Sequence, residues 1–211
     1  KMIFLVPENK AFTPIEIKKG DEFEVWGVVS YVIHKALYMF FLIDCNNFYV
    51  SCERVFDPSL KNKAVVVLSN NDGCSIARSE EAKKMGIQMG DPFFKHKDKQ
   101  IVALSCNLSL YADMSERVMQ TLLSFGYPMQ VYSIDEAFLQ CENISNEKLS
   151  SLGLAIKKKI KKWTGIDISV GIAKTKTLAK LANKIAKNES GVFILRENIP
   201  NLLEKINTET I

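Results

Sequence analysis

Phe40-Phe41-Leu42-Ile43, an apolar run that stops dead at Asp44, is the feature that most constrains this chain. Four consecutive apolar residues without alternation read as a strand buried on both faces. One that ends on an aspartate delivers a carboxylate at its tip. The chain supplies partners for such a strand. Residues 64–68 are a second buried strand, followed by the polar turn Ser69-Asn70-Asn71-Asp72-Gly73. Ser79 caps a short helix over 79–84 that Gly86 ends. Residues 108–125 read as a helix, 129–131 as a strand, and Ser133-Ile134-Asp135-Glu136 as a tight connection into the strand Ala137-Phe138-Leu139. Leu149, Leu152, Ile156, Ile160 and Trp163 recur at helical spacing, so 147–163 is an amphipathic helix with lysines outside. Residues 167–173 are a strand, and 175–187 a helix with Leu178, Leu181, Ala182 and Ile185 as its buried stripe. Strand, long insertion, helix, strand, strand, helix, strand is a split βαβ pattern, hence an α+β fold.

Ahead of this block, residues 14–17 read as a short strand, Lys19-Gly20-Asp21 as a turn, and 23–33 as a strand rich in β-branched and aromatic residues. Thirty-eight residues are too few to bury a core unaided, so this piece is a lobe or a remnant of something larger.

Hydrophobic residues at 47% and charged residues at 25% exclude a disordered tail. The longest apolar run, 36–43, falls far short of the roughly 20 residues of a membrane helix, so no membrane partner is expected. The start meets Pro7 and then charge too soon for a secretory signal. Five cysteines without a C-x-x-C pair, and only two histidines, argue against zinc and read as reduced thiols in a cytoplasmic protein. Charge is uneven along the chain. Residues 39–150 carry eleven basic and fourteen acidic side chains, whereas 151–190 carry ten lysines against Asp167 and Glu189. An acidic middle before a basic segment suits a protein that holds metal ions and grips phosphates, although a solvated lysine face has the same composition.

Asp44 closes one strand and Asp135-Glu136 lies between two others, 91 residues downstream. In a split βαβ sheet the first strand is central and the hairpin lies beside it, so three carboxylates converge on one sheet edge. Such groups repel one another and either protonate or collect divalent cations. Hard oxygen ligands favour magnesium or manganese. The same residues also serve as ordinary turn aspartates at strand ends, and the pattern alone leaves both readings open.

The segment Met39-Phe40-Phe41-Leu42-Ile43-Asp44-Cys45-Asn46-Asn47-Phe48-Tyr49 resembles the opening of the Y-family, translesion DNA polymerases. Val67-Leu68-Ser69-Asn70-Asn71-Asp72-Gly73-Cys74-Ser75-Ile76-Ala77-Arg78 and Met89-Gly90-Asp91-Pro92 resemble the UmuC branch of that family. Ser133-Ile134-Asp135-Glu136-Ala137-Phe138-Leu139 is similar to its second metal motif, and Gly171-Ile172-Ala173-Lys174-Thr175-Lys176 to a later palm segment. The resemblance implies a polymerase palm with a small fingers insertion over about 47–105. It also implies two magnesium ions, with manganese as substitute, held by Asp44, Asp135, Glu136 and the backbone carbonyl of Cys45. Tyr49 is implied as the steric gate against a ribose 2′-hydroxyl, with Phe48 beside it, and Ile76 and Ala77 over the nascent base pair. Lys187 and Lys83 are implied to reach the incoming triphosphate, and Lys176, Lys180 and Lys184 to bind DNA. Glu80 stands where many relatives carry tyrosine, and a glutamate is unhelpful beside a triphosphate. Implied partners are primer–template DNA, dNTP, a cleaved UmuD dimer and RecA, in the SOS response of a bacterial cytoplasm.

Residues 5–12 and 24–33 resemble the C-terminal end of UmuD, a self-cleaving relative of LexA. The Ser–Lys dyad of that family lies upstream of the matched part, so no protease activity is expected. Residues 1–38 thus read as a UmuD-like β remnant fused in front of a UmuC-like palm and fingers over 39–211. Ile211 stops short of where the thumb and little finger would follow, and DNA is expected to be held weakly and lost when salt rises. Two further readings compete with DNA-templated nucleotidyl transfer. One is a nucleotide cyclase, against which Tyr49 argues. The other is a non-enzymatic piece that binds UmuD-like strands.

Overall fold

The computed structural model describes residues 3–6, 11, 13–18, 20–21, 38–71, 73–96, 99–142 and 144–196. The chain divides into two units, 1–35 and 36–211. In the first, β1 (Ile3–Leu5) and β2 (Ile15–Ile17) pair antiparallel, Phe4 opposite Glu16. The expected strand over 23–33, and with it most of the UmuD-like segment, lies outside the described residues.

The second unit is built on β3 (Tyr38–Cys45). After it come α1 (Phe48–Phe56), β4 (Val65–Leu68), β5 (Ser75–Arg78), α2 (Glu80–Lys84) and β6 (Val102–Ser105). Then follow α3 (Leu108–Leu123), β7 (Met129–Val131), β8 (Glu136–Glu142), α4 (Asn146–Thr164), β9 (Ile168–Ala173), α5 (Lys176–Asn188) and β10 (Val192–Ile194). The main sheet has the order β10-β9-β3-β8-β7. β3 pairs antiparallel with both β8 and β9, which is the split βαβ arrangement with β10 added in parallel at the edge. The insertion between β3 and α3 carries its own sheet, β5-β4-β6, on which α2 rests.

Both helix layers follow from strand alternation. Phe41, Ile43 and Cys45 of β3, with Ala137, Leu139 and Cys141 of β8, pack into the large cluster under α3 and α4. Leu42 and Phe138 point to the other face, against Ala179, Leu181 and Ala182 of α5. Ser79 caps α2 as expected, its hydroxyl accepting from the Ala82 N–H at 3.2 Å, and Gly86 takes φ 81° after the helix. Asn107 caps α3 by accepting from the Leu110 N–H at 3.1 Å.

Two helix stripes differ from expectation. Trp163 is 62% exposed, with the Lys159 ammonium 4.6 Å from its ring, while Gly153 and Thr164 occupy the buried side of α4. In α5 the buried residues are Ala179, Leu181, Ala182, Asn183 and Ala186, with Leu178 and Ile185 only half buried. Leu181 and Ala182 are buried as expected, and the small side chains of Ala179 and Ala182 fill the interface beside them.

Candidate functional site

Leu42 opposes Phe138 in the β3–β8 ladder and both face α5, so two residues further on Asp44 opposes Glu136 on that same face. Asp135 sits one residue earlier, in the turn that enters β8. Its carbonyl accepts from the Cys45 N–H at 3.0 Å, which ties that turn to the end of β3. Ser133 rigidifies the turn. Its hydroxyl donates to Asp135 Oδ1 at 2.6 Å and accepts from the Glu136 N–H at 3.0 Å. Ser115 of α3 donates to the Ile134 carbonyl at 2.5 Å. The three predicted carboxylates therefore all lie at one end of the sheet, Asp44 opposite Glu136 across the ladder and Asp135 one residue before Glu136.

α5 supplies the positive charge. Gly171 of β9 pairs with Leu42, and a Cβ there would lie 2.1 Å from the Asn183 nitrogen and 2.2 Å from the Ala179 carbonyl oxygen. Helix backbone thus rests directly on strand backbone. Asn183, 2% exposed, donates its amide to the carbonyls of Leu42 (3.1 Å) and Ser169 (2.8 Å). From this anchored helix Lys187 Nζ reaches Asp44 Oδ2 at 2.7 Å, and Lys180 Nζ comes within 3.9 Å of Glu136 Oε2. Burial first, and then the charge of Asp44, push the Glu136 carboxyl above its ordinary value, with Lys180 pulling the other way.

The donor set fits a hard divalent cation in kind, because it is all carboxylate oxygen and backbone carbonyl. The nearby Asp44 carboxylate disfavours ionisation of Glu136, and Lys187 places a cation on Asp44. Among the described residues no three His, Cys, Asp or Glu side chains gather closely enough to hold a metal ion.

Two cavities meet at Asp44 and Lys187. One, of about 320 Å³, is bounded by Asp44, Cys45, Asp135 and Lys187 on the sheet side and by Phe48 and Tyr49 of α1. Ile76, Ala77 and Arg78 of β5 and Lys83 of α2 line it from the insertion. The other, of about 330 Å³, holds Glu136, Lys180 and Lys184. Every nucleotide-contacting residue expected from the sequence lines the first cavity, and two of the three expected DNA-contacting lysines line the second. Lys176 stands apart, bonded to Gln130 with its ammonium over the rings of Phe40 and Phe138. The Cys45 thiol, deep in the core, is pushed well above its usual value by burial and then by Asp135 and Asp44.

Tyr49 is held by a stack. Its ring lies 4.2 Å from that of Tyr111 at 12°, with Phe48 tilted at 5.9 Å. Tyr111 is fully buried and donates its hydroxyl to Glu53 Oε1 at 2.7 Å. Burial first, and then the hydrogen bond to the Glu53 carboxylate, push the Tyr111 phenol well above its ordinary value. Sequence reading missed Tyr111, Glu53, Asn47, Arg78, Met89 and Asn183. Tyr111 shares a helical stripe with Met114, Val118 and Leu122, which marks it as buried without showing what it touches. Nothing in the sequence pairs Asn183 with a strand 141 residues earlier.

Among known proteins, the sequence matches the impB/mucB/samB family over residues 43–184. It is 51% identical over 154 residues to Protein UmuC of Salmonella typhimurium, covering 71% of this chain and 36% of that protein. The crystal structure of DinB from Sulfolobus solfataricus matches the fold with a TM-score of 0.71 at 26% identity, over 82% of this chain and 53% of that one. An insertion ternary complex of Dbh DNA polymerase matches with the same score, identity and coverage. The chain thus spans between a third and about half the length of these relatives. On the strength of both the sequence match and the shared architecture, the chain belongs to the impB/mucB/samB family, as a UmuC-like member of the Y-family polymerases.

Proposed function

We propose that this chain carries the palm and fingers of a DNA polymerase that joins a dNTP to a primer end in translesion synthesis. One observation carries this reading: the register that sets Asp44 opposite Glu136, with Asp135 bound to Cys45, opens onto a cavity bordered by Phe48, Tyr49, Ile76 and Ala77. Asp44, Asp135, Glu136 and the Cys45 carbonyl would hold two magnesium ions, or manganese in their place. When bound, such ions activate an attacking oxygen and neutralise charge on the departing phosphate.

The remaining roles belong to the chain's own side chains. The Tyr49 ring, fixed by its stack on Tyr111, excludes a ribose 2′-hydroxyl by occupying its space. Ile76 and Ala77 offer an apolar surface to the base pair. Lys187 stands between the carboxylates and the phosphates, and Lys83 approaches the phosphates from the fingers. Lys180 and Lys184, with Lys176 further along the helix, neutralise DNA phosphates as point charges. The family's partners, a cleaved UmuD dimer and RecA, and a bacterial cytoplasmic location belong to the same proposal. So does the UmuD-like origin of residues 1–38.

The test is magnesium-dependent binding of a dNTP and of the matching rNTP by wild type, Asp135→Ala and Tyr49→Ala. The expected result is dNTP binding that needs magnesium and is lost in Asp135→Ala, with rNTP accepted only after Tyr49→Ala. Absence of any magnesium-dependent dNTP binding by folded wild-type protein would overturn the reading.

A further inference from the structure

Three polar side chains at the edge of the nucleotide cavity satisfy one another. Lys83 donates to Glu80 Oε1 at 2.7 Å and to Asn47 Oδ1 at 2.6 Å, and Asn47 donates its amide to the same Glu80 oxygen at 3.0 Å. The triangle joins two separate elements. Glu80 and Lys83 lie on α2 of the insertion, whereas Asn47 immediately precedes Phe48 and Tyr49. Asn47 takes the left-handed conformation, φ 48° and ψ 49°, and its side chain makes no capping bond to α1. It is committed to the insertion instead. Asn47 and Lys83 line the cavity, while Glu80 pairs with them from outside its lining. Among the described residues, the one lysine that the insertion offers to this cavity is thus already neutralised by a neighbour on its own helix.

We propose that Glu80 is an internal competitor for the triphosphate and sets how tightly the cavity takes it. This rests on the polymerase reading above. A phosphate entering beside Lys83 meets an ammonium bonded to a carboxylate, and it binds only as Lys83 is transferred from Glu80 to the phosphate oxygen. Asn47 Oδ1, which also accepts from Lys83, is released in the same exchange. Its amide remains able to donate to Glu80 or to phosphate.

The lysine and glutamate side chains are 39% and 63% exposed, so the pair is worth a factor of roughly two to five in an equilibrium. Removing a negative charge next to the phosphates adds a similar factor. A purely structural role for the pair, holding together a five-residue helix, predicts the opposite sign, because losing the pair would then loosen the cavity wall and weaken binding.

The experiment is titration of the full chain with a magnesium–dNTP complex for wild type, Glu80→Gln, Lys83→Ala and the double variant, each at low and moderate salt. Glu80→Gln keeps an acceptor for the Asn47 amide and removes only the charge. It is expected to tighten dNTP binding by about three- to tenfold, with the gain shrinking as salt rises. Lys83→Ala is expected to weaken binding, and in its background Glu80→Gln is expected to keep only the factor that charge repulsion alone supplies, having lost the factor of roughly two to five that comes from the pair. Unchanged or weaker binding by Glu80→Gln overturns the proposal while leaving the polymerase reading intact. A gain that persists in full without Lys83 overturns it too, since general charge repulsion then accounts for the effect. If neither wild type nor any variant binds the complex, the polymerase reading fails and this inference falls with it.

Discussion

Replacing Gly171 by alanine tests the contact that brings the lysines to the carboxylates. The new Cβ would sit 2.1 Å from the Asn183 nitrogen and 2.2 Å from the Ala179 carbonyl oxygen, both helix backbone that cannot rotate away. Restoring ordinary contact requires α5 to recede by at least about 1 Å. That movement breaks or stretches both Asn183 hydrogen bonds, to Leu42 and Ser169, at about 1 kcal/mol each. Overpacking in a dense core adds about 1–3 kcal/mol, so Gly171→Ala is expected to cost about 3–5 kcal/mol. In a chain of this size that lowers the thermal midpoint by roughly 6–20 °C. Denaturation followed by circular dichroism measures it, with two glycines as internal standards. At Gly73 the nearest atom to a new Cβ is 4.0 Å away, and alanine is expected to be neutral or slightly stabilising. At Gly153 the neighbour at 2.8 Å is a methyl of Val192, a β-branched side chain that yields less easily than a long one but more easily than helix backbone, so the cost is expected to lie between those at Gly73 and Gly171. If Gly171→Ala costs less than about 1 kcal/mol, or no more than Gly73→Ala, helix and strand are not in backbone contact and the account of how Lys187 is positioned fails.

Three other perturbations have defined outcomes. Cys45, Cys52 and Cys141 are buried, and burial raises the last two thiols to about 12. A thiol reagent at pH 8 should therefore label Cys74 and Cys106 in the native protein and reach these three only after unfolding, as peptide mass analysis would show. Tyr111→Phe should destabilise by about 1–2 kcal/mol in urea titration, because it leaves the Glu53 carboxylate without its 2.7 Å donor; an unchanged midpoint would show that water replaces the hydroxyl without loss. Burial works to raise the Glu81 carboxyl, but hydrogen bonds from Arg54, its own backbone and Ser79 outweigh it and hold it below the ordinary glutamate value. Its stabilising effect is complete above that ordinary value and disappears as pH falls through the lowered one. Glu81→Gln should accordingly cost about 0.5–1 kcal/mol at pH 7 and nothing at about pH 3, and a cost that is the same at both would refute the assignment.

How much of this was legible beforehand depended on whether a feature is local. β3, β4, β7, β9 and all the helices but α1 lie within a few residues of where periodicity and capping put them, because the signal is carried by neighbours in sequence. β10, three residues long and paired only through β9, carries no such signal. The carboxylates could be placed at one sheet end, since a split βαβ order fixes which strand is central. The register that sets Asp44 against Glu136 could not be read, because it is decided by the Ser133–Glu136 turn and by the Cys45–Asp135 bond. The stripe of α5 is legible in part, with Leu181 and Ala182 buried and Leu178 and Ile185 only half buried. Periodicity favours large apolar residues, whereas contact at Gly171 demands small ones and a buried asparagine. Trp163 is exposed against expectation because hydrophobic spacing does not distinguish a core tryptophan from one at the surface beneath Lys159.

The central strand has one more consequence. β3 is hydrogen-bonded along both flanks, to β8 from Tyr38 to Asp44 and to β9 from Phe40 to Cys45. A slip of one residue along either ladder would turn Phe41 and Ile43 out of their core and swing Asp44 to the far side of the sheet. The position of the carboxylate is thereby quantised. It is either fully correct or displaced by a whole pleat, with no continuum of slightly misaligned sites between. Precision at this end of the molecule follows from cooperative folding itself, and impairment should arise from exchanged side chains or failed folding, not from gradual drift of the strand.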